Sequence, residues 1–351
     1  TLPEVYLEDA DVADRIANIN ETMKQYLSDG TLTELPAGFI LTERYSGGTS
    51  PRRGLVAAID LECYEYTAGS RSLVRPTEKT VVERIPPRLA VRKNASIEVP
   101  HIMLLIDDPN RTVIEPMFEK TDALQKVYDT DLMQNGGHIN GWFIPEGELT
   151  DHLIAEMEKL NDRKTFNEKY RLTKDLPLLP FAVGDGNHSL ATAKSCYEEL
   201  KKNNPGVDLS NHPARYALVE LENIHDPAQV FEPIHRVIFK TEPKKLLKAL
   251  EEACAGAEGF PVKWYAGEES GTIVLDKSKG ELAVGILQHF LDDYLKENAG
   301  EIDYIHDDDA LIGFAKQENA IGFLLPAMEK SQLFRGVIAD GVLPRKTFSM
   351  G

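Results

Sequence analysis

The sequence is poor in cysteine, with only Cys63, Cys196 and Cys254 among 351 residues. The three cysteines are far apart, odd in number and outside any Cys-x-x-Cys pair. This pattern argues against a disulfide framework and against a zinc site. Because free cysteines are typical of reducing environments, we predict a reducing compartment.

Long hydrophobic runs are also missing. Ile102–Ile106 is among the longest, and it is far shorter than the roughly 20 residues that a membrane-spanning helix needs. The opening residues Thr1-Leu-Pro-Glu4 are acidic and lack the apolar segment of a secretory signal. We therefore expect a cytoplasmic protein without a membrane partner.

Positive charge is scarce relative to negative charge, since 39 basic residues face 57 acidic ones and the formal net charge is −18. Such a chain repels nucleic-acid phosphates, so we do not expect a nucleic-acid partner. The hydrophobic fraction of 42% and the charged fraction of 27% are typical of a globular protein. The length allows one to three domains.

One stretch in the middle of the chain combines three local signals. An apolar run over residues 178–183 predicts a buried strand, and Gly184-Asp-Gly186 predicts a turn directly after it. A helix is predicted next from the spacing of Leu190, Ala193, Tyr197 and Leu200. Asn187 or Ser189 is the predicted cap of its first amides. A glycine turn leading into a helix N-terminus favours an anion such as a phosphate, so we predict a binding site here.

Hydrophobic periodicity predicts a mixture of helices and strands without strict alternation. The predicted helices are Asp11–Asp29, Glu146–Leu160, Glu242–Ala255, Leu287–Glu297 and segments from Asp308 and after Ala327. The predicted strands include Gly38–Tyr45, Gly54–Asp60, Ile102–Asp107, Thr112–Glu115, Gln125–Leu132, His138–Ile144, Ala214–Glu220, Pro233–Phe239, Leu282–Val284, Ile302–His306 and Ile321–Leu325. A buried stripe is predicted on the first helix at Val12, Ile16, Ile19, Met23 and Leu27. We predict an α+β (mixed α/β) fold with a mixed sheet. Residues 1–240 are the predicted core region and residues 241–351 an additional α/β portion.

Four segments, in order along the chain, resemble motifs of the family catalogued as domain of unknown function 1015. Leu73-Val-Arg-Pro-Thr-Glu-Lys-Thr80 is similar to its His-Glu-x-Thr element, and Gly184-Asp-Gly-Asn-His-Ser189 to its Asp-Gly-His-His-Arg signature. Phe231-Glu-Pro-Ile-His-Arg236 resembles its Leu-Pro-Thr-His-Arg, and Leu343-Pro-Arg-Lys-Thr-Phe348 its Met-Pro-x-Lys-Ser-Thr. Each motif is weak alone, but their shared order favours the family.

The central motif also resembles the phosphate-binding element of the ParB/sulfiredoxin superfamily. That superfamily includes ParB-type CTP-binding proteins, sulfiredoxin and nucleotide-dependent free-serine kinases. The resemblance implies a ParB/sulfiredoxin-like core with a nucleotide pocket that several chemistries could use. No cysteine occupies the turn, so sulfiredoxin-type thiol chemistry is not expected.

The chain departs from these motifs at the positions that would clamp a phosphate. Asn187 replaces the first histidine of the signature, and Ser189 stands where the arginine would be. A hydroxyl cannot make the bidentate charged contact of a guanidinium, so another cation has to supply it. The candidates are Arg215, Arg236 with the adjacent His235, Arg345 and Lys346. In the first motif, Thr77 likewise replaces the histidine.

Each candidate residue has a structural interpretation beside the functional one. Asp185 can shape the turn through its own backbone, or hold Mg²⁺ or the acceptor hydroxyl. His188 can be a helix-start histidine or a phosphate ligand. Glu78 can complement a helix dipole or, as the resemblance to serine kinases implies, act as base on the acceptor. His235 and Arg236 can be an edge-strand pair bonded to backbone.

The favoured function is a nucleotide-dependent phosphotransferase, kinase-like, acting on a small hydroxylated metabolite. ATP or ADP with Mg²⁺ would bind at the turn formed by Gly184, Gly186, Asn187 and Ser189, with Glu78, Asp185 and His188 as the catalytic candidates. Two alternatives stay open. One is a non-catalytic nucleotide-gated module, and the other is a metal-assisted phosphoester hydrolase. A homodimer is a candidate oligomeric state.

Overall fold

The structure is a computed structural model that describes residues 2–47, 50–67, 69–99 and 102–350. The chain forms two compact units, residues 1–228 and residues 229–351. Each unit contains its own sheet and its own buried core.

The first unit is built around an eight-stranded sheet. In chain order, its elements are α1 (Val12–Ser28), β1 (Gly38–Tyr45), β2 (Arg52–Asp60), β3 (Val74–Pro76), α2 (Ile85–Arg92), β4 (Met103–Ile106), β5 (Gln125–Asp131), β6 (His138–Pro145), α3 (Glu148–Leu160), α4 (Arg163–Tyr170), β7 (Phe181–Asp185), α5 (Asn187–Asn203) and β8 (Tyr216–Asn223). The strand order is β3-β7-β4-β8-β2-β1-β6-β5. β3 runs parallel to β7 and β4 parallel to β8, whereas the other neighbours are antiparallel. The sheet is therefore mixed, which confirms the predicted fold class.

The core of the first unit lies on one face of this sheet. Strand alternation places the buried side chains of Leu41, Leu55, Leu104, Val183 and Leu221 in one cluster. The helical period adds one stripe of α5 to the same cluster, namely Leu190, Ala193 and Tyr197. Burying this stripe fixes α5 against the sheet, and it thereby fixes where the N-terminus of α5 begins.

The second unit contains a five-stranded antiparallel sheet and a separate strand pair. In chain order, its elements are β9 (Phe231–Pro233), β10 (His235–Phe239), α6 (Pro243–Cys254), β11 (Gly259–Ala266), β12 (Glu269–Asp276), α7 (Ala283–Glu297), β13 (Glu301–Ile305), α8 (Asp308–Ala315), β14 (Ile321–Leu324), α9 (Lys330–Asp340) and β15 (Phe348–Met350). The sheet order is β12-β11-β14-β10-β13, and β15 pairs with β9.

The first helix, α1, has the predicted span but not the predicted burial. None of its described side chains is buried, and Leu27 is 53% exposed. The helix is therefore amphipathic, but its apolar stripe is not part of a core. The prediction of a buried stripe is wrong. No helix in the described part of the chain is long and apolar enough to cross a membrane.

Two predicted strands are absent from the structure. Residues 112–115 form no strand because Asp108 Oδ2 accepts the backbone N–H groups of Thr112 (2.6 Å) and Val113 (2.9 Å), and a 3₁₀ helix follows over Glu115–Ala123. The predicted strand over residues 282–284 is the start of α7 instead. In both cases a short apolar run has the composition of a strand but no strand neighbour.

Candidate functional site

The predicted turn lies between β7 and α5. β7 ends at Asp185, Gly186 has the left-handed conformation (φ = +83°), and α5 begins at Asn187. Gly186 is the N-cap residue and no side chain caps the helix, so the prediction that Asn187 or Ser189 is the cap is wrong. Glycine suits this position because a side chain there would strain the left-handed backbone.

The N-terminus of α5 is open at its first turn. The first intrahelical bond runs from Leu190 N–H to the Gly186 carbonyl oxygen (3.0 Å), so the amides of Asn187 and Ser189 precede it. The side-chain oxygen Oδ1 of Asn187 is buried and has no hydrogen-bond partner among the described residues. Uncapped amides and the positive end of the helix dipole make this turn electrostatically suited to an anion.

Asp185 is part of the turn itself. Its Oδ1 accepts the backbone N–H of Gly186 (2.7 Å), and its side chain is exposed. This bond matches the turn-shaping interpretation and uses one of the amides at the bend. Among the described residues, no group of three or more His, Cys, Asp or Glu side chains is arranged to hold a metal ion.

The first motif lies directly beside the turn, although about a hundred residues separate them in sequence. β3 pairs in parallel with β7, with Pro76 opposite Val183. Thr77 Oγ1 donates to the Val183 carbonyl oxygen (2.7 Å), and Val81 N–H donates to Nε2 of His188 (3.3 Å). Since Nε2 accepts, the neutral imidazole of His188 carries its proton on Nδ1.

Glu78 follows Thr77 in this segment and is half-buried. It does not lie early in a helix as predicted, because α2 starts only at Ile85, with Pro86 and Pro87 in its first turn. The helix-dipole interpretation of Glu78 is therefore wrong. Its backbone lies beside the end of β7, where the turn begins.

Arg215 lies at the other end of α5. Its Nε and Nη2 donate to Oδ1 and Oδ2 of Asp60 (2.9 and 2.6 Å), and this bidentate pair raises the pKa of Arg215. It lines a cavity of about 360 Å³ together with Tyr197 and Asn204. From Ser189 to Asn204 the helix rises about 22 Å. The structure therefore does not bring Arg215 to the turn.

His235 and Arg236 lie in β10, which is a central strand between β14 and β13 rather than an edge strand as predicted. Both side chains are fully buried. Leu325 N–H donates to Nδ1 of His235 (3.1 Å), and Nε2 of His235 donates to Asp308 Oδ1 (2.7 Å). His235 therefore ties β10 to the residue after β14 and to the start of α8.

Arg236 connects the third and fourth motifs. Its Nε donates to Gln288 Oε1 (3.1 Å), its Nη2 to the carbonyl oxygen of Arg345 (2.9 Å) and its Nη1 to the carbonyl oxygen of Ile234. Strand β15 pairs with β9, so the two motifs are also joined by backbone. This arrangement gives Arg236 a structural role in the second unit.

The cations of the fourth motif are more accessible. The side chain of Arg345 is 55% exposed, and it donates to the hydroxyl oxygen of Tyr304 (2.7 Å) and to Asp292 Oδ1 (2.6 Å). Lys346 is exposed and has a left-handed backbone (φ = +54°). Both lie in the second unit, where the backbone carbonyl oxygen of Arg345 accepts from Arg236 Nη2.

Two polar features of the first unit were missed in the sequence. One is Arg75, a buried arginine inside the first motif. The other is Asp107, which follows β4 and accepts from Tyr170 Oη (2.6 Å), His225 Nε2 (2.7 Å) and Lys169 Nζ (3.0 Å). Burial raises the pKa of Asp107, but these partners outweigh it and hold the pKa below its usual range. The signal in the sequence that could have identified Asp107 is its position directly after the apolar run of β4.

Most of the chain is similar to several solved structures at low sequence identity. Three of them, each covering 84% of this chain, are a mutant free serine kinase in complex with AMP (13% identity, 87% of that chain, TM-score 0.42), a conserved hypothetical protein from Pyrococcus furiosus (10%, 90%, 0.39) and SbnI with a C-terminal truncation from Staphylococcus aureus (9%, 82%, 0.41). At these values the likenesses assign no activity to this chain. No curated protein sequence matches it.

The predicted family is confirmed by comparison with family models, and the match includes the first three motifs but not the fourth at residues 343–348. The model described as "Protein of unknown function (DUF1015)" matches residues 1–335, which is nearly the whole chain. The four motifs meet in pairs, the first with the second in the first unit and the third with the fourth in the second unit. The chain therefore belongs to the DUF1015 family.

Proposed function

We propose that the protein binds a nucleotide through the turn at Gly184–Ser189 and transfers a phosphoryl group to a small hydroxylated metabolite. The observation that supports this proposal is the open first turn of α5. Its N-cap is the left-handed Gly186, and no side chain caps it. The buried Oδ1 of Asn187 in this turn has no hydrogen-bond partner among the described residues. A buried polar atom without a partner is unusual in a folded protein, and a ligand that donates a hydrogen bond would satisfy it.

The neighbouring first motif supports the same proposal. The bond from Val81 N–H to Nε2 of His188 joins this motif to the first turn of α5. His188 is therefore the proposed side-chain ligand of a phosphate oxygen. Glu78, carried beside the turn by the β3–β7 pairing, is the proposed base on the acceptor hydroxyl.

Asp185 places a negative charge where phosphates would bind, so the proposal includes Mg²⁺. One carboxylate fits this ion, since Mg²⁺ in nucleotide sites is usually held by one or two carboxylates together with the phosphates and water. When bound, Mg²⁺ would neutralise charge that develops on the phosphate oxygens. Asp185 would hold the ion, while the amides of Asn187 and Ser189 would hold phosphate oxygens.

Isothermal titration tests the binding step. We expect ATP, ADP or CTP with Mg²⁺ to bind at millimolar or lower concentration, and we expect His188→Ala to weaken binding by about tenfold through loss of one hydrogen bond. His289→Ala, an exposed histidine on α7 in the second unit, is the matched control and should leave the affinity unchanged. If none of the three nucleotides binds, or if the two variants bind equally well, the proposal is wrong.

A second function, a non-catalytic nucleotide-gated module, is favoured by one observation. The Asp185 carboxylate is already bonded to the Gly186 amide, and a serine stands at the position of the expected arginine. A phosphotransferase predicts nucleotide turnover that Glu78→Gln abolishes while binding persists. A nucleotide-gated module predicts a nucleotide-dependent change in oligomeric state, measured by light scattering. It predicts no nucleotide turnover in the wild type or in Glu78→Gln.

A further inference from the structure

Arg75 is a buried arginine without an acidic partner. It lies in β3, the edge strand of the first sheet, and only 4% of its surface is exposed. Its Nη2 donates to the carbonyl oxygens of Pro177 and Leu178, both at 3.3 Å. Its Nε is buried and has no acceptor among the described residues. No carboxylate of the described chain forms an ion pair with it.

A permanent positive charge in this position is expensive unless an anion accompanies it. Two long hydrogen bonds to neutral carbonyl groups compensate a guanidinium less well than a carboxylate or phosphate does. Burial, together with the smaller effect of the nearby charge of Arg71, lowers the pKa of Arg75 to about 10. At neutral pH the side chain is still charged, so its charge remains to be balanced.

Arg71 adds a second positive charge to the same place. It precedes Arg75 by four residues, its side chain is exposed, and it forms no ion pair with the described residues. In an acidic protein with a net charge of −18, two neighbouring arginines that lack acidic partners are unexpected. One side chain provides a buried, fixed donor, and the other provides access from solvent.

We infer that Arg71 and Arg75 form a binding site for the oxyanion group, carboxylate or phosphate, of a small metabolite. Arginine is suited to both groups because its planar guanidinium matches their oxygen geometry. The fixed position of Arg75 would orient the ligand, and Arg71 would close over it from the solvent side.

This site is separate from the turn proposed to bind a nucleotide. The Arg75 guanidinium reaches the residues just before β7, whereas the turn follows the end of β7. β7 has five residues and is therefore about 16 Å long. A phosphate bound at the turn cannot also contact Arg75, so the two sites can be tested independently.

The first experiment measures thermal unfolding in inorganic phosphate and, separately, in acetate, with ionic strength held constant by sodium chloride. We expect at least one of the two anions to raise the Tm of the wild-type protein, because a ligand that binds only the folded state stabilises it. Arg71→Gln should weaken the apparent affinity by about tenfold. Arg335→Gln, an exposed arginine with only a 3.5 Å ion pair to Glu281, is the matched control and should behave like the wild type.

The second experiment locates the anion in a crystal soaked with selenate, whose anomalous signal identifies it. We expect selenate within hydrogen-bond distance of Arg75 in the wild type and its absence there in Arg75→Met. Since Arg75→Met removes a buried group and could fail to fold, Arg71→Gln and the wild-type soak decide the result. Equal anion-dependent stabilisation of Arg71→Gln and wild type, or selenate bound only elsewhere, would overturn the inference. An effect of phosphate without acetate, or the reverse, identifies which oxyanion the site takes.

Discussion

Several charged side chains of the first unit are buried, and Glu222 in β8 is the most enclosed of the acidic ones. It is fully buried, neither carboxylate oxygen has a hydrogen bond among the described residues, and Arg52 Nε lies 3.1 Å from Oε1. Burial raises the pKa of Glu222 to about 8, and the attraction of Arg52 only partly offsets it. The folded state therefore favours the protonated carboxyl.

This pKa makes stability depend on pH in a defined direction. Glu222 titrates near 4.5 when unfolded and near 8 when folded. The contribution of this group to the free energy of unfolding is therefore fully present below pH 4.5 and is lost as pH rises through 8. We expect the free energy of unfolding of Glu222→Gln to fall less than that of the wild type between pH 5 and 8.5. Urea unfolding at several pH values measures the difference.

Glu252→Gln is the matched control, since the side chain of Glu252 is 70% exposed. It should follow the wild-type pH profile. If Glu222→Gln shows the same slope as the wild type, Glu222 is ionised in the folded protein and the prediction is wrong.

At the scale of single elements, β5 and β6 show how a glycine and an aromatic residue fit together. Gly141 in β6 pairs directly with Tyr128 in β5, and the Tyr128 ring lies over the glycine, where a Cβ atom would collide with it. Burial raises the pKa of Tyr128 to about 12. The ring therefore covers this part of the sheet only because residue 141 has no side chain.

We expect Gly141→Ala to destabilise the protein by about 1–3 kcal/mol, because the ring has to move off the strand. Gly313→Ala is the control, since Gly313 is exposed in α8 and has open space around its Cα. That substitution should stabilise the protein by about 0.5–1 kcal/mol. Chemical denaturation of both variants measures the contrast. Similar effects of the two substitutions would contradict the packing of Tyr128 on Gly141.

Elements with strong local patterns could be predicted from the sequence. The β5–β6 hairpin has the turn signal Asn135-Gly-Gly137 between its strands, and α5 has a regular helical stripe, so both were predicted correctly. The failures involve contacts between distant residues. The burial of Arg236 depends on β13, β14 and the carbonyl of Arg345, and the missing strand at residues 112–115 depends on the side chain of Asp108.

The candidate site was likewise predicted only in part. The turn at Gly184–Ser189 carries its signal locally, because two glycines and a helix start are adjacent in the chain. The position of Thr77 and Val81 beside it required the parallel pairing of β3 with β7, which no local pattern specifies. For the same reason, Arg75 could not be identified as buried, since an arginine in a polar segment is usually exposed.

At the scale of the whole molecule, the two units differ from the division predicted from sequence. The structural boundary lies at residues 228/229, whereas the predicted boundary at 240/241 stays a prediction that an experiment can decide. A cut at 240/241 would remove β9 and β10 from the second unit. β10 is the strand between β14 and β13, so its loss would split the sheet.

We therefore expect a fragment of residues 229–351 to fold and a fragment of residues 241–351 to remain unfolded. Circular dichroism should show a cooperative thermal transition for the first fragment and none for the second. The shorter fragment serves as the matched control because it lacks only the first twelve residues. A cooperative transition in both fragments would favour the boundary predicted from sequence.

The pairing of β15 with β9 has a topological consequence. Phe231 and Met350 are direct cross-strand partners, so the two ends of the segment 231–350 lie about 5 Å apart. A segment with adjoining ends can be inserted into a surface loop of a host protein, or circularly permuted, without stretching either chain. The segment 231–350 thus has the end-to-end geometry that such an insertion requires.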